Sequence, residues 1–154
     1  MNRSYFVLVV LAVAALCGVF LMTAVDIRAF IDAPSLAVVL LFPVLMSFGS
    51  HGPREIGKSY RVAFEVPGAT RAELETALAY FEGLGRYLAW GGALGVTVGL
   101  VVVLGYAGLG NDVAAVGKGL ALCLLSAVYA IALICLVAIP FRAAVRKRLA
   151  QLGG

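Results

Sequence analysis

The residues able to do chemistry are few, and most of them stand in apolar surroundings. His51 is the single histidine, set between Ser50 and Gly52 and beside Pro53 in what reads as a connecting loop. Too few polar side chains surround it to build a Ser-His-Asp type arrangement. One His and three Cys cannot fill a four-ligand zinc site without a carboxylate, and no pair shows C-x-x-C or H-E-x-x-H spacing. The expectation is therefore no metal, no cofactor and no catalysis. What remains is a set of hydroxyls deep in apolar runs: Thr97, Ser126 and Tyr129, with Thr23 and Ser47 nearer the ends. Ser126 and Tyr129 are three apart and share a helix face. A hydroxyl there can orient a water or accept a hydrogen bond from a protonated carboxylic acid, but it cannot carry a proton charge at neutral pH. The competing use is local, each hydroxyl bonding back to a carbonyl one turn earlier. Ionisable groups inside a bilayer mark ion pathways because they are costly there, and the central parts of these runs have none. If the chain helps move ions, another chain must supply the titrating carboxylate.

The elements that would hold these hydroxyls follow from composition and patterning. Of 154 residues, 63% are hydrophobic and 13% charged, against about 25% charged in soluble domains, which excludes disorder and argues for a membrane protein. A membrane helix needs about 20 apolar residues to cross about 30 Å of hydrocarbon. Four stretches serve, giving an all-α protein with spans at about 5–25, 33–49, 86–109 and 113–141. The first is uncharged and longer than a signal-peptide core, so it is expected to stay in the mature protein. The second opens with Asp32 as N-cap and Pro34 in the first turn, and Pro43 is expected to kink it. Ten of the twelve Lys and Arg fall at the N-terminus, in the middle segment and at the C-terminus, leaving Arg28 and Lys118 for the other two segments. The positive-inside rule then places both termini and the middle segment in the cytoplasm. Topology explains the net charge of +4, and no nucleic-acid partner is needed to account for it.

The middle segment, 50–85, reads as two helices. Ile56, Tyr60 and Phe64 make one apolar stripe after Pro53, which Pro67-Gly68 ends. Thr70-Arg71-Ala72-Glu73 is a capping box, followed by Leu74, Leu78, Phe81, Leu84 and Leu88 at helical spacing. Nothing stops that helix before about Leu109, so it is expected to run almost 60 Å, about twice the hydrocarbon thickness. The fourth run likewise continues into a basic helix, 141–152, with Pro140 kinking it near the inner interface. Gly91, Gly95 and Gly99 repeat every fourth residue, a ridge that admits a close helix neighbour within the subunit, between subunits, or both. Thr97 points roughly opposite that ridge. Cys123 and Cys135, about 18 Å apart along one helix, are too distant to bridge.

Four stretches together resemble the MotA/TolQ/ExbB proton-channel family of bacterial inner-membrane ring subunits. Phe30-Ile31-Asp32-Ala33-Pro34-Ser35-Leu36 is similar to the F-[IV]-D-x-P-S-L entry of the second span in MotA-type proteins. Ser47-Phe48, with the basic stripe through Tyr60-Arg61-Val62-Ala63-Phe64, is similar to the exit into the cytoplasm. Residues 92–100 resemble the third-span pattern G-x-x-G-T-x-x-G-L, and residues 117–129, followed by Pro140, the fourth-span pattern G-x-x-[LM]-A-x-A-L-x-T-T-x-Y-G. The resemblance implies a homo-oligomeric ring, by analogy a pentamer, around a single-span MotB/ExbD/TolR-like partner that carries the carboxylate. It places Val96, Thr97, Ser126, Ala127 and Tyr129 along the ion pathway and Pro140 at the coupling to the cytoplasm, with Gly91, Gly95 and Gly99 in oligomer packing. Departures lower the polarity of that pathway: Val96 replaces the third-span Thr, Ser126-Ala127 the Thr-Thr pair, and Ala130 the Gly after Tyr, while Ala89 stands where MotA has proline. About 35 cytoplasmic residues leave no room for MotA's large rotor-facing domain. The alternative is a four-span scaffold that conducts nothing.

Overall fold

The structure, a computed structural model, describes Leu11 and residues 32–64, 68–107 and 113–152. The described residues are helical throughout, apart from caps and short turns, and form no strand. Helix α1 is Ala33–Ser50, α2 Pro53–Ala63, α3 Arg71–Ala107 and α4 Val113–Leu133; a π-helical turn, Ile134–Ala138, then joins α4 to α5, Ile139–Leu152. Three helices are long and apolar enough to cross a membrane: α1, α3 and the continuous α4–α5 rod. The expected first span, 5–25, lies outside the described residues except for Leu11.

Each boundary has a local cause. The Asp32 carboxylate accepts from the Ser35 N–H at 2.9 Å and starts α1, with Pro34 in the first turn where its missing N–H is harmless. The helix runs uninterrupted through Pro43, whose ring is buried against α3 beside Gly91. Pro53 opens α2, which ends at Ala63, four positions before the expected Pro67-Gly68 stop, with Phe64 as its cap. The capping box forms reciprocally: the Thr70 N–H donates to Glu73 Oε2 at 3.0 Å, and the Glu73 N–H to Thr70 Oγ1 at 3.3 Å. The backbone N–H and then the hydroxyl of Thr70 hold the Glu73 carboxyl below its ordinary range. From there α3 continues for 37 residues, about 55 Å. The Pro140 disturbance takes a specific form: proline offers no N–H to the turn before it, and the chain widens into the π-turn, the Ile139 N–H reaching back five residues to the Ile134 carbonyl.

The core lies at one end of the rods, around the parts of α3 and α5 that extend past the spans. Leu74, Ala77, Tyr80, Phe81, Leu84 and Leu88 of α3 meet Val62 and Ala63 of α2, and Ala138 and Val145 of the other rod. Aromatic rings dominate it: Phe81 stacks on Phe141 with centroids 5.3 Å apart at 12°, and Tyr60 stands edge-on to Tyr80, Phe81 and Phe141. An Arg148 guanidinium donates to the Val62 carbonyl and pins α2 to α5. Away from this core the spans expose large apolar side chains, Leu45, Trp90, Val101, Leu124 and Ile131 among them, as lipid-facing surface does.

Candidate functional site: a groove at the helix seam

The helices α3 and α4 approach along glycines. A methyl group placed at Gly92 would lie 2.4 Å from Ala130 Cβ, at Gly95 2.7 Å from Ser126 Cβ and Oγ, and at Gly99 2.7 Å from Cys123 Sγ. From the other side, a methyl group placed at Gly119 would lie 2.5 Å from Val103 Cγ2. Gly91 instead faces α1, where a methyl group would lie 3.4 Å from both Pro43 Cδ and the Val39 carbonyl oxygen. The ridge expected at 91, 95 and 99 is thus divided, and its seam against α4 runs through Gly92, Gly95 and Gly99. All of these contacts are internal to the subunit, which is the first of the two uses expected of the ridge. Gly92, which stands outside the regular spacing and opens the third-span pattern, makes the closest approach.

Toward the end of the spans opposite the aromatic core, this seam opens against α1 into a groove of about 410 Å³. Asp32, Ser35 and Ser126 are the oxygen-bearing side chains in its lining, against Val, Leu, Pro, Gly and Cys elsewhere. Asp32 lies eighteen residues from Ser50, about 27 Å along α1, which sets the carboxylate near one face of the hydrocarbon rather than at its centre. The Asp32 N–H donates to the Tyr129 hydroxyl at 3.0 Å, and the Ser35 hydroxyl lies 3.5 Å from the Leu122 carbonyl. Tyr129 therefore holds the entry of α1 against α4. The sequence marked Asp32 only as a cap; the F-I-D-A-P-S-L stretch was the available sign of more.

Apart from Ser126, the other pathway residues do not line this groove. Ser126 is 1% exposed, wedged against Gly95, which corrects the expectation of an open channel hydroxyl. Thr97 is exposed on the far face of α3, as expected, and its hydroxyl bonds back to the Ala93 carbonyl at 2.8 Å. Val96 and Ala127 are half-buried and do not line the groove. Pro140 is buried below the π-turn. At the other end of α1, Ser50 and Tyr87 share a 2.7 Å hydrogen bond. His51 caps α1 and stands edge-on to Tyr80 at 5.4 Å. Cys123 is buried and Cys135 exposed, both as free thiols.

No protein-family model matches the chain, and no curated protein does.

Proposed function

We propose that the chain is a ring subunit of a proton-driven complex in a bacterial inner membrane, multi-pass with both termini cytoplasmic. In this reading several copies, five by resemblance, surround the membrane helix of a single-span partner of the MotB/ExbD/TolR kind. The carrying observation is the pair of long rods. Helix α3 and the α4–α5 rod are locked backbone-to-backbone within the spans and continue past them into one aromatic core, so a displacement at membrane depth is transmitted outside. The described parts of the spans hold no carboxylate at their centre, which supports a reading in which the partner supplies the proton-binding group. The face of α3 bearing Thr97 between Trp90, Leu94, Val101 and Leu104 is exposed and apolar, a surface suited to a partner helix or a neighbouring subunit.

Pyranine-loaded vesicles containing the subunit alone should be proton-tight under an imposed potential, and flux should appear only on co-reconstitution with the partner. A subunit that conducts alone as fast as the complex would refute the partner-carboxylate mechanism. Ser126→Ala, nearly isosteric in its tight site against Gly95, should fold and lower flux two- to threefold at most. Reporter fusions at Gly154 and near Gly110 should report opposite sides of the membrane, because ten of the twelve basic residues fall on one side. A periplasmic Gly154 ends the reading.

A non-conducting scaffold is favoured by one specific observation: Ser126 is packed away and Thr97 satisfies itself, so neither deep hydroxyl is offered to a permeating species. A complex that assembles with the partner yet passes no protons at any potential establishes that alternative.

A further inference from the structure

A second crevice lies where the spans meet the aromatic core. It has a volume of about 320 Å³, and Gly85, Ala89 and Ala138 leave it open between α3 and the π-turn of the other rod. Two guanidinium groups stand at it, Arg86 from α3 and Arg142 from α5. The charge is only partly neutralised, because the Glu82 carboxylate also lines the crevice and leaves one positive charge in excess. Arg142 reaches Glu82 only at 3.9 Å with both side chains about half exposed, and Arg86 makes no ion pair among the described residues. Arg146, one turn beyond Arg142, is exposed and adds to the positive field. The depth is marked independently by Trp90, 65% exposed and one turn above Arg86 on the same helix, in the position that interfacial tryptophans take at headgroup level.

From this we infer that the crevice is a binding site for an anionic glycerophospholipid of the leaflet on the basic side. The phosphate diester sits between Arg86 and Arg142, and one acyl chain lies in the slot formed by Ala89, Ile134 and Ile139 toward the spans. Charge complementarity decides the headgroup. A zwitterionic lipid brings its own cation against two arginines, whereas an anionic one meets a local surplus of positive charge. The apolar slot decides the source, since a free phosphate ion gains nothing from it. This inference is independent of proton conduction and requires only that α3 and the second rod cross a membrane.

The test is native mass spectrometry of the purified chain in mild detergent, titrated separately with phosphatidylglycerol, phosphatidylcholine and inorganic phosphate. Phosphatidylglycerol should be retained where phosphatidylcholine is lost. Arg86→Gln/Arg142→Gln should weaken retention about 30-fold, two arginine contributions at a membrane surface taken together. Lys147→Gln should leave it unchanged, and Glu82→Gln should strengthen it by removing the competing carboxylate. Ala89→Phe keeps both charges and fills the slot, so it too should weaken retention; it decides the question should the double glutamine variant fail to fold. Equal retention of the two lipids, a double variant that binds as well as Lys147→Gln, an Ala89→Phe variant that binds normally, or displacement of the lipid by millimolar phosphate would each overturn the assignment.

Discussion

Gly92→Ala, a single added methyl group, is expected to destabilise the membrane-embedded helix pair by about 1–3 kcal/mol, the usual cost of overpacking a filled interior. The added carbon would stand 2.4 Å from Ala130 Cβ, an atom fixed to the α4 backbone, so no side-chain rotation relieves the contact and the rods must part. Gly95→Leu should do more, because its whole side chain must displace Ser126, which is 1% exposed. Thr97→Val on the exposed face should stay within about 0.5 kcal/mol. The effect is read twice: by thermal melting in detergent, and by maleimide labelling of Cys123, which is buried against Gly99 and becomes reactive when the seam opens. Labelling is done with Cys17 and Cys135 replaced by Ser. Gly92→Ala/Ala130→Gly moves the methyl group across the seam and should restore both melting and protection, a non-additivity expected only of residues in contact. If Gly92→Ala melts like wild type with Cys123 still protected, the seam does not hold the pair.

The long helices and their caps were legible because their causes are local. Asp32 with Pro34, and Thr70 with Glu73, act within one turn, and the apolar stripes of α2 and α3 follow from a period of 3.6 residues. The use of the glycine ridge was not legible. A G-x-x-x-G spacing states that some backbone comes close, without naming which, and the 3.6 period lets Gly91 turn toward α1 while Gly92, Gly95 and Gly99 face α4. Ser126 was misjudged for the same reason: its exposure depends on Gly95, 31 positions away in the chain. Pro140 suggested a kink, whereas what stands before it is a π-turn over Ile134–Ala138, a form that depends on how α3 and the second rod pack beside the core.

Phe81→Ala is expected to have the largest effect outside the membrane, about 3–5 kcal/mol. The ring is 1% exposed, stacked on Phe141, and in edge contact with Tyr60 at 5.2 Å and Tyr80 at 5.1 Å. Each such aromatic pair adds about 0.5–1.5 kcal/mol beyond area burial. The consequence should be regional rather than global. Helix α2 has only 11 residues, too few to persist in water without tertiary support, and this core with the Arg148–Val62 contact supplies that support. The spans keep their glycine seam and their own backbone hydrogen bonds. Hydrogen exchange should therefore rise sharply across 53–80 while residues 92–105 remain protected, and trypsin should gain access to Arg61 and Arg71. Phe64→Ala, at a ring already 59% exposed, should change little by the same measures. Phe141→Ala should resemble Phe81→Ala, and the double variant should cost less than the two singles added, because both remove one shared stack. Exchange that spreads evenly through the spans would mean that the membrane pair depends on the core, and additive losses at Phe81 and Phe141 would mean that the stack carries no coupling energy of its own. The regional outcome leaves the spans intact with their outer ends uncoupled, so in the proposed complex this variant should pass protons without transmitting movement, which separates permeation from coupling in one chain.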